Sequence, residues 1–262
     1  MSRFSANISF LFTELPFRER FKAAADAGFT GIEFLFPYEE PAEELAALAR
    51  ENNLEVVLFN IWPGAWAEGA RGLAGIPGQE EEFARHLYEA LSFARALNCR
   101  RLHAMAGLES QGANFETLIG NLRFAAEEAA ADGVVILTEP INRKDMPGCL
   151  VHHTAQARAI ISSVGAPNVR LQFDLYHRHV EEGGVGSAIS EFADLTAHYQ
   201  VAGPPDRGEP DLGEPDYAHL FGRIDATGYG GWIGCEYRPR KETREGLSWA
   251  KALGVRFDGG AS

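Results

Sequence analysis

Cysteine is scarce in this chain, and its thiols lie far apart in the sequence. The 262 residues contain only Cys99, Cys149 and Cys235, with no CxxC spacing. An odd number of widely separated cysteines argues against a disulfide framework and against a structural zinc site. The sequence therefore favours a cytoplasmic location, where thiols stay reduced.

Long apolar runs are also missing. No stretch approaches the roughly 18 consecutive apolar residues that a membrane span needs. The first residues, MSRFSANISFLFTEL, are interrupted by Ser5, Asn7 and Ser9, so they lack the continuous apolar segment of a secretory signal. We therefore expect neither a membrane partner nor a cleaved leader.

Positive charge is in deficit. Lys and Arg number 24 against 37 Asp and Glu, which gives a net charge of −13 at pH 7. Nucleic-acid binding requires a concentrated surplus of Lys and Arg, so nucleic acid is excluded as an expected partner. The hydrophobic content of 45% and the charged content of 23% are those of an ordinary globular protein.

Strand and helix patterns alternate eight times along the chain. Short β-branched or aromatic runs predict strands over 4–10, 31–34, 55–60, 101–106, 134–139, 169–174, 197–202 and 232–237. Helical periodicity lies between them, over 18–26, 42–51, 80–97, 118–129, 154–164, 186–194, 217–226 and 243–252. Such alternation, without a linker or a shift in composition, predicts a parallel sheet. Eight units predict an α/β fold, a single (β/α)8 TIM barrel over residues 1–262.

An open doubly wound sheet is the alternative architecture. It should show a glycine fingerprint after the first strand, and the sequence there, ISFLFTELPF, contains no glycine. The length would also fit two domains of about 130 residues, but the chain has no Pro, Gly or Ser-rich linker to separate them.

Polar side chains that offer oxygen ligands close four consecutive predicted strands. VVILTEP ends at Glu139 and VRLQFD ends at Asp174, while AHYQVA carries Gln200 and WIGCEY carries Glu236 near its end. Active sites of such barrels lie at the C-terminal ends of the strands, so these side chains should meet. Three converging carboxylates need a cation between them. Ligation by oxygen alone favours Mg²⁺ or Mn²⁺ over zinc.

Seven stretches of the chain match one known family nearly from end to end. They are RFSANISFLF, GFTGIEFLFPY, FNIWPGAWAEGARGLAGIPGQEEEF, LTEPINRKDMPG, QFDLYH, DRGEPDLGEPDYAHLF and YGGWIGCEYRP. The chain resembles the hydroxypyruvate isomerase family of the xylose isomerase-like TIM-barrel superfamily. This resemblance implies a metal bound by Glu139, Asp174, Gln200 and Glu236, with Glu139 and Glu236 as proton donor and acceptor. Ketose epimerases of the superfamily commonly have His in place of Gln200, so the glutamine matches hydroxypyruvate isomerases and favours Mg²⁺.

The resemblance implies a metal-dependent isomerase that interconverts hydroxypyruvate and tartronate semialdehyde through an enediolate. A metal chelated by adjacent carbonyl and hydroxyl oxygens acidifies the C–H bond between them and stabilises the enediolate. Two flanking carboxylates can then move the proton from one carbon to the next. A 2-oxotetronate isomerase or a ketose 3-epimerase would use the same site, so the expected partner is a small hydroxycarbonyl acid or sugar.

An anionic substrate needs a further cation, because a 2+ ion and three carboxylates leave a net charge of −1. Arg207, in the loop AGPPDRGEP, is the first candidate to bind a substrate carboxylate, and Arg71 is the second. His177 matches a histidine that contacts substrate oxygens in related epimerases. Asn60 ends the third predicted strand at the same mouth and is a candidate hydrogen-bonding partner for the substrate.

The loop over 62–79 is longer than the 2 to 6 residues usual for such connections. We interpret it as a lid in which Trp62 and Trp66 exclude water from the enediolate. A neighbouring copy of the chain in a homo-oligomer would cover the two tryptophans equally well, and the sequence leaves both arrangements open.

Two other classes of function are compatible with the same superfamily. An apurinic endonuclease would need a histidine-rich cluster of three metals and a basic surface, whereas this chain has Gln200 and a net charge of −13. A catalytically silent sugar-binding barrel would not need the complete set of metal ligands. The sequence therefore favours the isomerase.

Overall fold

Eight parallel strands close into a barrel in the order of the chain. The computed structural model describes residues 2–212 and 214–257. The strands are β1 (Arg3–Asn7), β2 (Gly31–Glu33), β3 (Glu55–Asn60), β4 (Arg101–His103), β5 (Val135–Thr138), β6 (Val169–Asp174), β7 (Thr196–Val201) and β8 (Trp232–Cys235). Because β8 also pairs in parallel with β1, the predicted closed barrel is confirmed and the open sheet is excluded.

Helices cover the outside of the barrel between the strands. They are α1 (Glu19–Asp26), α2 (Ala42–Glu51), α3 (Glu80–Leu97), α4 (Phe115–Ala130), α5 (Thr154–Val164), α6 (Leu175–Glu181), α7 (Val185–Glu191), α8 (Tyr217–Ala226), α9 (Thr243–Gly246) and α10 (Ser248–Ala252). The predicted helix over 243–252 is divided into α9 and α10. Helix α6 was not predicted, since its start coincides with the site motif QFDLYH. The carboxylate of Asp174 caps α6 by accepting a hydrogen bond from the backbone N–H of Tyr176 at 2.7 Å.

The outer core follows from the periodicity of the helices. In α4 the predicted apolar stripe is buried, and it comprises Leu118, Leu122, Ala125, Ala126 and Ala129. The side chain of Asn114 accepts a hydrogen bond from the backbone N–H of Thr117 and starts the helix. The small alanines let α4 pack closely against β5 and β6, which fixes the direction in which β5 delivers its last residue.

The barrel interior changes from apolar at its base to polar at its mouth. Val57, Leu58, Leu137 and Trp232 form an apolar cluster at the base. The indole N–H of Trp232 donates to the carboxylate of Glu55 at 3.0 Å. Polar and charged side chains occupy the layers above this cluster, so the chemistry is confined to the C-terminal ends of the strands.

Several strands end earlier than the sequence predicts. Strand β1 stops at Asn7 because its carbonyl oxygen accepts hydrogen bonds from the backbone N–H groups of Phe10 and Leu11, which begins a turn; the predicted strand over 4–10 is therefore too long. Strands β5 and β8 likewise end one residue before Glu139 and Glu236. Both glutamates therefore lie at the mouth of the barrel, directly after the C-terminal ends of their strands.

The described helices include none that is both long and apolar enough to cross a membrane. The three cysteines are buried free thiols, as their spacing predicted.

Candidate active site

A cavity of about 320 Å³ opens at the C-terminal ends of the strands. Apolar side chains such as Phe10, Phe36 and Met105 form part of its wall. Six charged side chains also line it, namely Arg71, Glu139, Asp145, Arg207, Glu236 and Arg238. Convergent charges in a partly apolar cavity are typical of an active site.

Three carboxylates at the cavity floor are almost completely buried. The exposed fractions of Glu139, Asp174 and Glu236 are 8%, 2% and 7%. Burial, together with the charges of Glu236 and Asp174, raises the pKa of Glu139 well above its ordinary value. Burial raises the pKa of Glu236 to about 8 and also raises the pKa of Asp174. Burial thus favours the protonated forms of all three carboxyl groups in the metal-free protein.

Arg207 neutralises this acidic group. One guanidinium N–H donates to Glu236 Oε1, and the same nitrogen lies 3.5 Å from Asp174 Oδ2. The guanidinium also lies over the rings of Phe10 and Tyr176, at 5.0 and 5.6 Å from their centroids. Burial opposes its charge, but the carboxylates of Glu236, Asp174 and Glu139 raise the pKa of Arg207 above its ordinary value. The arginine predicted to bind substrate is thus already paired with two of the predicted metal-ligating carboxylates.

The loop that carries Arg207 is held in one conformation by backbone hydrogen bonds. Gly203 and Gly208 exchange two N–H···O bonds of 2.7 and 2.9 Å, and the N–H of Arg238 donates to the carbonyl of Arg207 at 2.7 Å. Arg207 itself has a φ of 58°, a left-handed conformation that is uncommon outside glycine. These bonds hold the guanidinium over the cavity floor.

His177 presents a hydrogen-bond donor to the same floor. Its Nδ1 accepts a hydrogen bond from the side-chain amide of Asn142 at 2.6 Å, and Asn142 Oδ1 accepts from the N–H of Asp145 at 2.8 Å. The second bond sets the amide orientation, so the imidazole proton lies on Nε2. This Nε2 is 3.6 Å from Asp174 Oδ2 and 3.9 Å from Glu139 Oε1. Burial lowers the pKa of His177 well below its ordinary value, so the ring is neutral.

Gln200 lies between two carboxylates. Its amide nitrogen donates to Glu33 Oε1 at 2.8 Å and to Glu236 Oε2, while its oxygen accepts from the amide of Gln172 at 2.7 Å. The oxygen that would bind a metal is therefore engaged by Gln172. The role of Gln200 as a metal ligand stays a prediction.

Arg71 is held in place beside the cavity. Its guanidinium carbon lies 3.9 Å from the centroid of the Trp66 ring, and one terminal nitrogen donates to the carbonyls of Trp66 and Ala70 at 3.0 and 2.7 Å. These contacts fix the orientation of the Arg71 guanidinium group in the absence of a ligand. Asn60, the last residue of β3, lines the same cavity, in agreement with its predicted position.

The two tryptophans of the long loop have different surroundings. Trp66 lines the cavity, whereas Trp62 packs on Phe36, Tyr38 and His86. A short 3₁₀ helix over Trp66–Glu68 orders the loop. Of the two, Trp66 is the one that lines the cavity; the role of the loop as a lid stays a prediction.

Sequence reasoning missed several polar residues of the site, among them His103, Arg238 and Glu33. His103, the last residue of β4, has its Nδ1 3.6 Å from Glu139 Oε2, and burial lowers its pKa to about 3. Arg238 lines the cavity, and its guanidinium has no hydrogen-bond or ion-pair partner among residues 2–212 and 214–257. Glu33 lies beneath the floor with an exposed fraction of 0%. His103 and Glu33 both end strands, so the search for polar strand ends could have found them.

The donor set fits a hard divalent cation. Ligand atoms of Glu139, Asp174 and His177 lie within 4.8 Å of one another. The two carboxylates of this group supply oxygen ligands, while the Nε2–H of His177 faces them as a hydrogen-bond donor. Glu139 Oε1 is buried and has no hydrogen-bond partner among the described residues, although a buried carboxylate oxygen normally has one. Carboxylate oxygens are the ligands that Mg²⁺ and Mn²⁺ prefer.

A closed (β/α)8 barrel with a cavity at its mouth, lined by buried charged and polar side chains, is the arrangement of an enzyme active site. The chain belongs to the xylose isomerase-like TIM-barrel family, whose model matches residues 21–253.

Two curated relatives match nearly the whole chain. The chain is 47% identical to the 2-oxo-tetronate isomerase of Cupriavidus necator, over 96% of this chain and 98% of that protein. It is 43% identical to the hydroxypyruvate isomerase of Escherichia coli, over 95% of this chain and 98% of that protein. These matches confirm the family that the motifs indicated and show that the chain is an isomerase.

One solved structure superposes closely on the chain. It is described as an AP endonuclease, family 2, from Brucella melitensis. It has a TM-score of 0.94 at 45% identity and covers 96% of this chain and 99% of its own. The comparison confirms the fold.

Proposed function

We propose that the protein is a metal-dependent isomerase that interconverts hydroxypyruvate and tartronate semialdehyde. The observation that carries the proposal is the pair of buried glutamates, Glu139 and Glu236, whose raised pKa values suit them to exchange protons at one cavity. Mg²⁺ or Mn²⁺ would be held by Glu139, Asp174, Gln200 and Glu236. When bound, the ion would stabilise negative charge on the substrate oxygens.

The two glutamates account for the proton that moves between the carbon atoms. One of the two glutamates removes a proton from C3 of hydroxypyruvate, and the other delivers a proton to C2. The hydroxyl proton passes from the oxygen on C3 to the oxygen on C2, so the product has the same composition as the substrate. His177 donates its Nε2–H to a substrate oxygen. Trp66 shields the intermediate from bulk water.

The arginines favour an acid as the substrate. Arg71, Arg207 and Arg238 all line the cavity, and a planar guanidinium matches the geometry of a carboxylate. We assign Arg71 and Arg207 to the substrate carboxylate and Asn60 to a substrate hydroxyl. The overall charge of −13 supports a small molecule over nucleic acid as the partner.

A 2-oxotetronate isomerase is the second candidate. The observation that favours it is the 47% identity to a relative of that name. The chemistry at C2 and C3 is unchanged, and the longer acid differs only in its chain. A ketose 3-epimerase fits less well, because a neutral sugar has no use for the arginines.

Solvent exchange separates these candidates. We expect incubation with Mg²⁺ or Mn²⁺ in D₂O to convert hydroxypyruvate, 2-oxotetronate or both, with deuterium from the solvent appearing at the carbon that receives the proton. The measurement is NMR of each acid and of a neutral ketose, with protein treated with EDTA as the control. Exchange into the ketose alone would favour the epimerase, and no exchange into any substrate would indicate a silent binding barrel.

The metal-free protein is expected to lose stability as the pH rises from about 5 to 8. The ordinary pKa of Glu236 is 4.5, and burial raises it to about 8 in the folded state. Between these values the folded state holds protons that the unfolded state has released, so stability falls with rising pH. The same direction holds for Glu139 and Asp174.

Thermal melting from pH 5 to 9, with and without Mg²⁺, tests this expectation. Metal binds deprotonated ligands, so the increase in Tm on adding Mg²⁺ should grow with pH and reach about 5–10 °C near saturation. The control is Glu236→Gln, which should reduce the pH dependence of the metal-free protein and leave the part due to Glu139 and Asp174. A Tm increment that stays constant with pH would contradict the assignment.

A further inference from the structure

Glu33 is a buried carboxylate that lies directly below the proposed catalytic floor. It is the last residue of β2. Each of its two carboxylate oxygens accepts two hydrogen bonds. Ser5 Oγ and His198 Nε2 lie 2.9 Å from Oε2. The amide nitrogens of Asn7 and Gln200 lie 3.3 and 2.8 Å from Oε1. Four donors therefore satisfy both oxygens of this buried carboxylate.

Two of these donors also bind Glu236. The amide nitrogen of Asn7 donates to Glu236 Oε2 at 2.9 Å, and the amide nitrogen of Gln200 donates to the same oxygen. Each NH₂ group has two protons, one for each carboxylate. Glu33 and Glu236 are therefore joined by two amide bridges, and Glu236 Oε1 is left facing Arg207 and the cavity.

The charge of Glu33 favours the observed orientation of the two amides. A rotated amide would present its oxygen to two carboxylates, which is electrostatically unfavourable. The amide oxygens are instead taken by other donors, the N–H of Ser9 for Asn7 and the amide of Gln172 for Gln200. Burial opposes the charge of Glu33, but His198, Gln200 and Ser5 keep its pKa below the ordinary value.

The chain makes room for Glu33 at one position of β8. A Cβ atom built on Gly234 would lie 2.2 Å from Glu33 Oε1, which is far inside van der Waals contact. Any larger residue at 234 would displace the carboxylate. The need to accommodate Glu33 thus explains why residue 234 in the motif WIGCEY is a glycine. Gly234 lies two residues before Glu236.

We propose that Glu33 is a positioning residue that holds Glu236 in its reactive orientation through the amides of Asn7 and Gln200. The inference rests on the proposed function of Glu236. Since Gln200 and Glu236 are also proposed metal ligands, Glu33 acts on metal binding by the same bridges. Outer partners of metal ligands typically change metal affinity or activity by about 10–100-fold.

Glu33→Gln tests the inference, because glutamine has the shape of glutamate without its charge. We expect kcat for the isomerised acid to fall by about 10–100-fold with KM within about threefold, and the Mn²⁺ dissociation constant from calorimetry to rise by about 10-fold or more. The matched control is Glu55→Gln, the same substitution at the base of the barrel, where the carboxylate accepts a hydrogen bond from the indole of Trp232. Its kcat and Mn²⁺ affinity should stay within about threefold of the parent protein.

Three outcomes would overturn the inference: Glu33→Gln without effect, a Glu55→Gln loss as large as that of Glu33→Gln, or a change in KM without a change in kcat. If Glu33→Gln does not fold, Asn7→Ala is the second variant, because it removes one amide bridge and leaves three donors on Glu33. A loss of kcat at constant KM in this variant supports the inference. An unchanged kcat overturns it. Failure of the isomerase proposal is distinguishable, because the parent protein would then be inactive while calorimetry still compares Mn²⁺ binding.

Discussion

Glu236→Gln is expected to lower kcat by about a thousandfold or more while the barrel stays folded. Proton transfer by a positioned side chain contributes about 10²–10⁴-fold, and an amide can neither accept nor release the proton. Glutamine keeps the shape of the side chain and one oxygen that can accept from Arg207. Turnover by NMR and Tm by thermal melting measure the two effects separately.

Glu55→Gln is the matched control for this variant. Glu55 is the first residue of β3, at the base of the barrel and thus at the end opposite the mouth. Its carboxylate accepts a hydrogen bond from the indole N–H of Trp232. Its kcat should equal that of the parent protein. A Glu236→Gln protein that keeps a tenth of the parent kcat would contradict the proton-transfer role of Glu236.

Arg207→Ala is expected to destabilise the metal-free protein and to weaken turnover of an anionic substrate. Its side chain is 12% exposed and pairs with Glu236 and Asp174. Removing one partner of a buried ion pair costs about 3–5 kcal/mol, which corresponds to a Tm lower by about 10 °C in a protein of this size. Mg²⁺ should restore part of the loss, because it supplies the missing positive charge.

Arg71→Ala provides the comparison that identifies the carboxylate-binding arginine. The guanidinium of Arg71 contacts Trp66 and backbone carbonyls, so its removal should change Tm by less than about 2 °C. If Arg71 binds the substrate carboxylate, KM for the acid should rise by about tenfold or more and KM for a neutral ketose should not change. An Arg207→Ala protein whose KM rises equally for acid and ketose would show that Arg207 serves the carboxylates of the site instead.

The architecture could be predicted because each strand and helix of a parallel barrel has its own pattern of hydrophobic residues within a short segment of the chain. Each strand has its own apolar run, each helix has its own stripe, as in α4, and the units follow one another in chain order. The predicted ligands Glu139, Asp174 and Glu236 meet for the same reason, since parallel strands bring their C-terminal ends to one edge. The length of β1 was overestimated because the strand ends in a turn at Asn7. This turn depends on backbone hydrogen bonds, which hydrophobic periodicity does not reveal.

The sequence by itself determined the order of the strands, the family and the acidic strand ends that converge at the mouth. Only the tertiary structure decided how those groups are oriented. Closure of β8 onto β1 brings Asn7 to Glu236, and β2 and β7 bring Glu33 to Gln200. The same holds for Arg207, whose loop turns it toward Glu236 and Asp174. Hydrogen bonds between residues that lie far apart in the chain depend on distances of a few ångströms, and those distances exist only once the barrel has closed.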